Sequence, residues 1–155
     1  MSLPEAIYDY SKMYPCDLNG SLVAEIKMNG VINNYPVRRA AVPYYAIDMY
    51  LSDDRTFRVF VKTPDLNVVD LTGATGVMTV KTVKTGPVII QKSTAVPAEG
   101  QIGAADEGEM FFFFVPADTA SLDARQYVFD VTVTLISGKK YTIMDGVMNL
   151  IQPVS

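Results

Sequence analysis

The chain has no histidine, no tryptophan and a single cysteine, Cys16. Without histidine the commonest general base is missing and triads of the Ser/His/Asp and Cys/His types are excluded, so any catalysis would rest on carboxylates, lysine or tyrosine. A lone cysteine forms no internal disulfide, and with no Cys/His cluster there is no ligand set for zinc or haem. Cys16 reads as a small apolar side chain, and no cofactor is expected. No apolar run approaches the ~20 residues of a membrane span, and the opening Met1-Ser2-Leu3-Pro4-Glu5-Ala6 lacks the basic and apolar regions of a signal peptide. A soluble chain, made in the cytoplasm and without a membrane partner, is the expectation. Positive charge is also scarce: 13 Lys and Arg face 17 Asp and Glu, for a net charge of −4. Apart from Arg38-Arg39 and Lys139-Lys140 the basic residues are scattered, so nucleic acid is not an expected partner. Gly73, Gly76 and Gly86 precede no Gly-Lys-Ser/Thr and make no phosphate loop.

What is present is a pattern of strands and turns. Over 127–135 the side chains alternate: Tyr127, Phe129, Val131, Val133 and Leu135 fall on one face, Val128, Asp130, Thr132 and Thr134 on the other. Ser137-Gly138 then turns the chain, and Asp145-Gly146 is expected to turn it again. Further strands are expected over 56–63, with Phe57, Val59 and Val61 inward and Arg58 and Lys62 outward, over 74–83 with Met78 and Val80 buried, over 87–92 and over 109–115. Pro64-Asp65-Leu66-Asn67 supplies a turn. The polar stretch 93–109 reads as a long surface connection with at most a weak strand near Ala95. Within Pro116-Ala117-Asp118-Thr119-Ala120-Ser121-Leu122 a single helical turn is expected, capped by Asp118. Short strands at regular spacing, with no helix longer than about two turns, predict an all-β fold, a β-sandwich.

The texture changes near Ser52-Asp53-Asp54. Residues 1–51 are expected to be an N-terminal arm with one or two strands, and 52–155 the sandwich domain. In the arm, Asn19-Gly20 and Asn29-Gly30 bracket a strand over 21–28, residues 44–51 suggest another, and a short helical turn is expected at 4–10. Asn19-Gly20-Ser21 matches a glycosylation sequon but reads as a turn.

Two features are candidates for contact with a partner. The run Phe111-Phe112-Phe113-Phe114 places rings on both faces of a strand, although a sandwich strand has one inner face, so two rings need cover from the arm, the long loop or another subunit. The first 51 residues are rich in tyrosine, a residue that buries area at interfaces while its hydroxyl stays satisfied. The candidate partner-binding residues are Tyr8, Tyr10, Tyr14, Tyr44, Tyr45, Tyr50, Phe111 and Phe113. No catalytic or metal-binding residue is assigned. The carboxylates at Asp53-Asp54, at Asp106, Glu107 and Glu109, and at Asp118 and Asp123 lie where aspartate serves turns. Only a cleft with two converging acids of raised pKa would suggest a hydrolase. A carbohydrate- or host-receptor-binding module is the alternative to a protein-binding one.

The order Asp-Asp-Arg-Thr-Phe-Arg-Val-Phe-Val (53–61), Val-Asp-Leu-Thr-Gly-Ala-Thr (69–75), Phe-Phe-Val-Pro-Ala-Asp-Thr-Ala-Ser-Leu (113–122), Gln-Tyr-Val-Phe-Asp-Val (126–131) and Gly-Lys-Lys-Tyr-Thr-Ile-Met-Asp-Gly (138–146) resembles the N-terminal domain of phage baseplate upper proteins. The resemblance covers about residues 53–152. It implies an immunoglobulin-like antiparallel sandwich that serves, without catalysis, as a structural or attachment component of a tailed-phage virion, in the tail, baseplate or a fibre attachment. The implied partners are other virion proteins and further copies of the chain in the particle. Because the extra residues here precede the domain, a component anchored by its N-terminal arm fits this reading.

Overall fold

The computed structural model describes residues 23–28, 36–37, 44–63 and 67–154. Ten strands are described: β1 (Val23–Met28), β2 (Pro36–Val37), β3 (Tyr44–Tyr50), β4 (Arg55–Lys62), β5 (Thr75–Lys81), β6 (Val88–Ser93), β7 (Gly100–Ile102), β8 (Glu109–Phe114), β9 (Gln126–Thr134) and β10 (Lys140–Ile151). They form a four-stranded sheet, β1-β4-β8-β7, and a six-stranded sheet, β2-β3-β10-β9-β5-β6. Two packed sheets with this strand order make an all-β, immunoglobulin-like sandwich.

The alternation seen in the sequence sets the inner faces. Phe57, Val59 and Val61 of β4 and Met110, Phe112 and Phe114 of β8 are buried, facing Tyr127, Phe129, Val131 and Val133 of β9 and Met78 and Val80 of β5. Phe57 and Phe114 meet edge to face, 4.9 Å between centroids at 78°, an arrangement that adds to the ~2–3 kcal/mol of burying each ring.

Two crossings between the sheets lie close together. At Leu51-Ser52 the chain leaves β3 for β4, and Ser52 takes a left-handed conformation, φ 63°. Its N–H donates to the Thr119 hydroxyl at 2.8 Å. Thr119 closes the helical turn Pro116–Thr119, which carries the chain from β8 to β9. Asp118 reaches back to accept the Val115 N–H at 2.8 Å, as a capping residue does. The same oxygen lies 2.8 Å from Nζ of Lys92, a nearly buried lysine on edge strand β6 whose ammonium also sits 5.5 Å from the centroid of Phe114. An inward-pointing charge on an edge strand discourages pairing with another chain. Just before β9, the Tyr127 hydroxyl donates to the Asp123 carbonyl at 2.9 Å, the tyrosine corner of such sandwiches.

The structure corrects four expectations. Strand β3 belongs to the sandwich: it runs parallel to β10, and Tyr45, Ile47 and Met49 with the following Leu51 lie in the core. The sandwich therefore includes residues from 44 onward, and one of its strand pairs is parallel. β1 also joins, as the edge strand antiparallel to β4. Asp145-Gly146 is no turn but the middle of β10, where pairing on both sides overrides the turn preference of the dipeptide. The stretch 93–109 is shorter as a loop than expected, since β7 and the 3₁₀ turn Ala105–Glu107 lie within it. Tyr8, Tyr10, Tyr14, Cys16 and the turns at Asn19-Gly20 and Asn29-Gly30 lie outside the described residues.

Candidate functional site

Residues 111 and 113 lie on the outer face of the four-stranded sheet because 110, 112 and 114 fill the core. The register of β4 against β8 sets Arg58 opposite Phe111, Thr56 opposite Phe113 and Phe60 opposite Glu109. The rings of Phe111 and Phe113 stack at 6.4 Å, only 8° from parallel. The Arg58 guanidinium lies 4.7 Å from the Phe60 centroid and 6.0 Å from that of Phe111, each a favourable cation–π contact.

Glu109 locks this arginine in place. The Arg58 Nε–H donates to Glu109 Oε2 at 2.7 Å, and a terminal guanidinium nitrogen pairs with the same oxygen. The other carboxylate oxygen accepts the Ala104 N–H at 3.1 Å. That backbone bond is the first cause holding the Glu109 pKa below the ordinary value, with Arg58 adding to it and desolvation opposing. Gly103 passes beneath without a side chain, because a Cβ there would meet Phe111 at 2.6 Å and Glu109 closer still. The result is a preset plate of aromatic rings around a half-exposed cation, suited to packing against an apolar or planar partner surface.

Of the residues singled out from sequence, Phe111 and Phe113 come together here. Tyr45 does not: it is completely buried, because β3 turns that side chain into the core, and it is no surface contact. Tyr44 pairs in register with Asp145 and Val37 in the other sheet, and Tyr50 is exposed at the far end of the same strand. Among the described residues, Tyr50 and the two phenylalanines thus stand on strands of different sheets. Arg58 and Phe60 complete the plate and were not singled out for contact; their common parity with the outward residues of β4 was the available signal.

The carboxylates of the turns serve local structure. Asp53 pairs with Arg55 at 3.1 Å, and Asp70 Oδ1 accepts from both the N–H and the hydroxyl of Thr72, at 2.9 and 2.7 Å. These two bonds, the hydroxyl's first, hold the Asp70 pKa low. A different acidic pair, Asp130 on β9 and Asp145 on β10, lies directly opposite across the strands. It faces a cleft of about 190 Å³ on the outer face of the six-stranded sheet, lined also by Thr79, Lys81, Lys84 and Thr142. Burial raises the Asp130 pKa, with Lys81 opposing, Asp145 adding and Lys140 opposing. Lys84 Nζ lies 3.8 Å from Asp145. Among the described residues no group of three or more His, Cys, Asp or Glu side chains is placed to hold a metal ion.

No protein-family model and no curated protein sequence matches the chain. Among solved structures, dimeric latent PorU from Porphyromonas gingivalis aligns with 87% of this chain at a TM-score of 0.52 and 10% identity, and the chain spans 13% of its length. CopC from Methylosinus trichosporium OB3b aligns with 71% of this chain and 89% of its own at 11% identity and a TM-score of 0.39. A family 123 glycoside hydrolase from Clostridium perfringens aligns with 86% of this chain and 28% of its own, at 10% identity and a TM-score of 0.38. The first likeness speaks to the fold, and the other two carry nothing further.

Proposed function

We propose that the chain is a non-catalytic assembly domain, a structural or attachment component of a tailed-phage virion that packs against neighbouring virion proteins. One observation carries the assembly reading: the plate of Phe111, Phe113 and Phe60 around Arg58, outside the core and held in place from below by Glu109 and Gly103. Interfaces concentrate such aromatic and arginine side chains, and preset geometry lowers the cost of ordering them on binding. The virion context rests on the resemblance of the ordered turn motifs over 53–152 and on nothing in the comparisons.

The test is to replace Phe111 and Phe113 together by threonine in the full chain, expressed with its neighbouring genes. Both residues point away from the core, so the variant should remain a folded β protein. It should no longer co-sediment with assembled particles. Incorporation at the wild-type level would remove the plate as the contact and, with it, the support for this reading.

A further inference from the structure

We propose that the cleft over β5, β9 and β10 binds one hydroxyl-rich ring, a pyranose unit of a saccharide, with Asp130 and Asp145 accepting its hydroxyl protons and Lys81 and Lys84 donating to its oxygens. The site is independent of the aromatic plate, lying on the other sheet.

The acidic pair is a cost to the sheet even with Lys84 beside Asp145. Like charges directly opposite on neighbouring strands destabilise a sheet, yet Thr79, Asp130 and Asp145 form one row across three strands. The row depends on a β-bulge: the register of β10 against β9 shifts between Thr142 and Met144, and Ile143 and Met144 are both buried there. Without that extra residue Asp145 would lie opposite Phe129 and point into the core. Bulges that re-aim a side chain are concentrated beside functional sites.

The lining selects the ligand class. A free cation would meet Lys81 and Lys84, and an anion would meet both carboxylates, so neither suits a cleft carrying two charges of each sign. A neutral polyol suits it, because each hydroxyl both donates and accepts, and carboxylates, ammonium groups and the threonine hydroxyls supply both complements. Asp130 and Asp145 stand about 5 Å apart at Cβ by their cross-strand placement, a spacing that two hydroxyls of a six-membered ring can span. Among the described residues no hydrogen-bond donor is placed on Asp130, so its carboxylate can accept from the cleft. No aromatic face stacks over the site, and affinity should be correspondingly modest.

The experiment is a titration of the isotope-labelled full chain with methyl glucoside, mannoside, galactoside and N-acetylglucosaminide, following amide shifts. At least one pyranoside should shift amides of residues 128–132 and 142–147 saturably at millimolar concentration. Asp130→Asn and Asp145→Asn should each weaken that binding about tenfold or more, the loss expected for a charge-assisted hydrogen bond, while the Phe111→Thr, Phe113→Thr variant should bind as the wild type. Absence of a shift with every pyranoside at about 100 mM, where even affinities below those of single-sugar sites would register, overturns the proposal. So does unchanged binding by both Asn variants. Calcium chloride shifting the same amides and displacing the sugar would make the cleft a cation site instead.

Discussion

At Gly146 the neighbouring strand β3 passes so close that an added Cβ would collide with the Tyr45 carbonyl oxygen and approach the Tyr45 nitrogen and carbonyl carbon to 2.8 Å. Backbone on backbone cannot yield as a flexible side chain does. Gly146→Ala should therefore cost about 3 kcal/mol or more, the range of severe strain or overpacking, although alanine suits a strand better than glycine in isolation. Urea unfolding of the purified variant reads this directly; a loss below about 1 kcal/mol, the ordinary size of a substitution effect, would mean that β3 moves aside. The glycine was visible in the sequence, but its role was not. Asp-Gly is a turn dipeptide locally, and only the parallel strand laid against it, contributed from about a hundred residues earlier, makes glycine obligatory there. Asp118 is the opposite case: proline two residues before and a hydrophobic strand on either side disclosed a capping residue, and its bond to Val115 followed.

At the scale of elements, β3 decides where the domain begins. A chain starting at residue 44 keeps both sheets' central strands and should fold cooperatively, though removal of β1 leaves the β4 edge open and should favour aggregation. A chain starting at 52 loses Tyr45, Ile47, Met49 and Leu51 from the core. At about 2–5 kcal/mol for each large side chain removed, the four together are as large as the ~5–15 kcal/mol by which a domain is stable. Circular dichroism melting of the two truncations should show a cooperative transition for the first and none for the second. The tyrosine, isoleucine and methionine content of 44–51, following Pro43, suggested a strand but not its partner. Parallel pairing leaves no turn signal in the sequence, whereas the β9–β10 hairpin announces itself through Ser137-Gly138. The three residues of β7 escaped for another reason: they are too few to show a period, and Gly100 itself lacks the side chain that would mark a face.

The whole molecule is acidic, and its carboxylates pull its pH dependence in two directions. Glu109 and Asp70 have folded pKa values below the ordinary ones, so their stabilising contributions are present above the ordinary carboxylate range and are lost as pH falls through the folded values. Asp130 is raised above 3.8, first by burial and then by Asp145, with Lys81 and Lys140 opposing and Lys84 nearby. The folded chain holds that proton more tightly than the unfolded one. Its contribution is therefore fully present below the ordinary value and is lost as pH rises through the folded value. Asp130→Asn, which has no charge to desolvate, should melt higher than the wild type near pH 7, with the two curves converging toward about pH 3. A series of thermal melts against pH checks this, and a variant less stable at neutral pH would contradict the reading of a strained carboxylate. Gaining stability while losing the saccharide is the usual exchange at a functional site. From the order of residues alone came the sandwich, most of its strands and the surplus of rings on β8, because side-chain alternation and turn chemistry are local. The partners of those strands, the burial of Tyr45, the plate around Arg58 and the meeting of Asp130 with Asp145 depended on register and on one bulge, contacts between residues distant in the chain that no local pattern encodes.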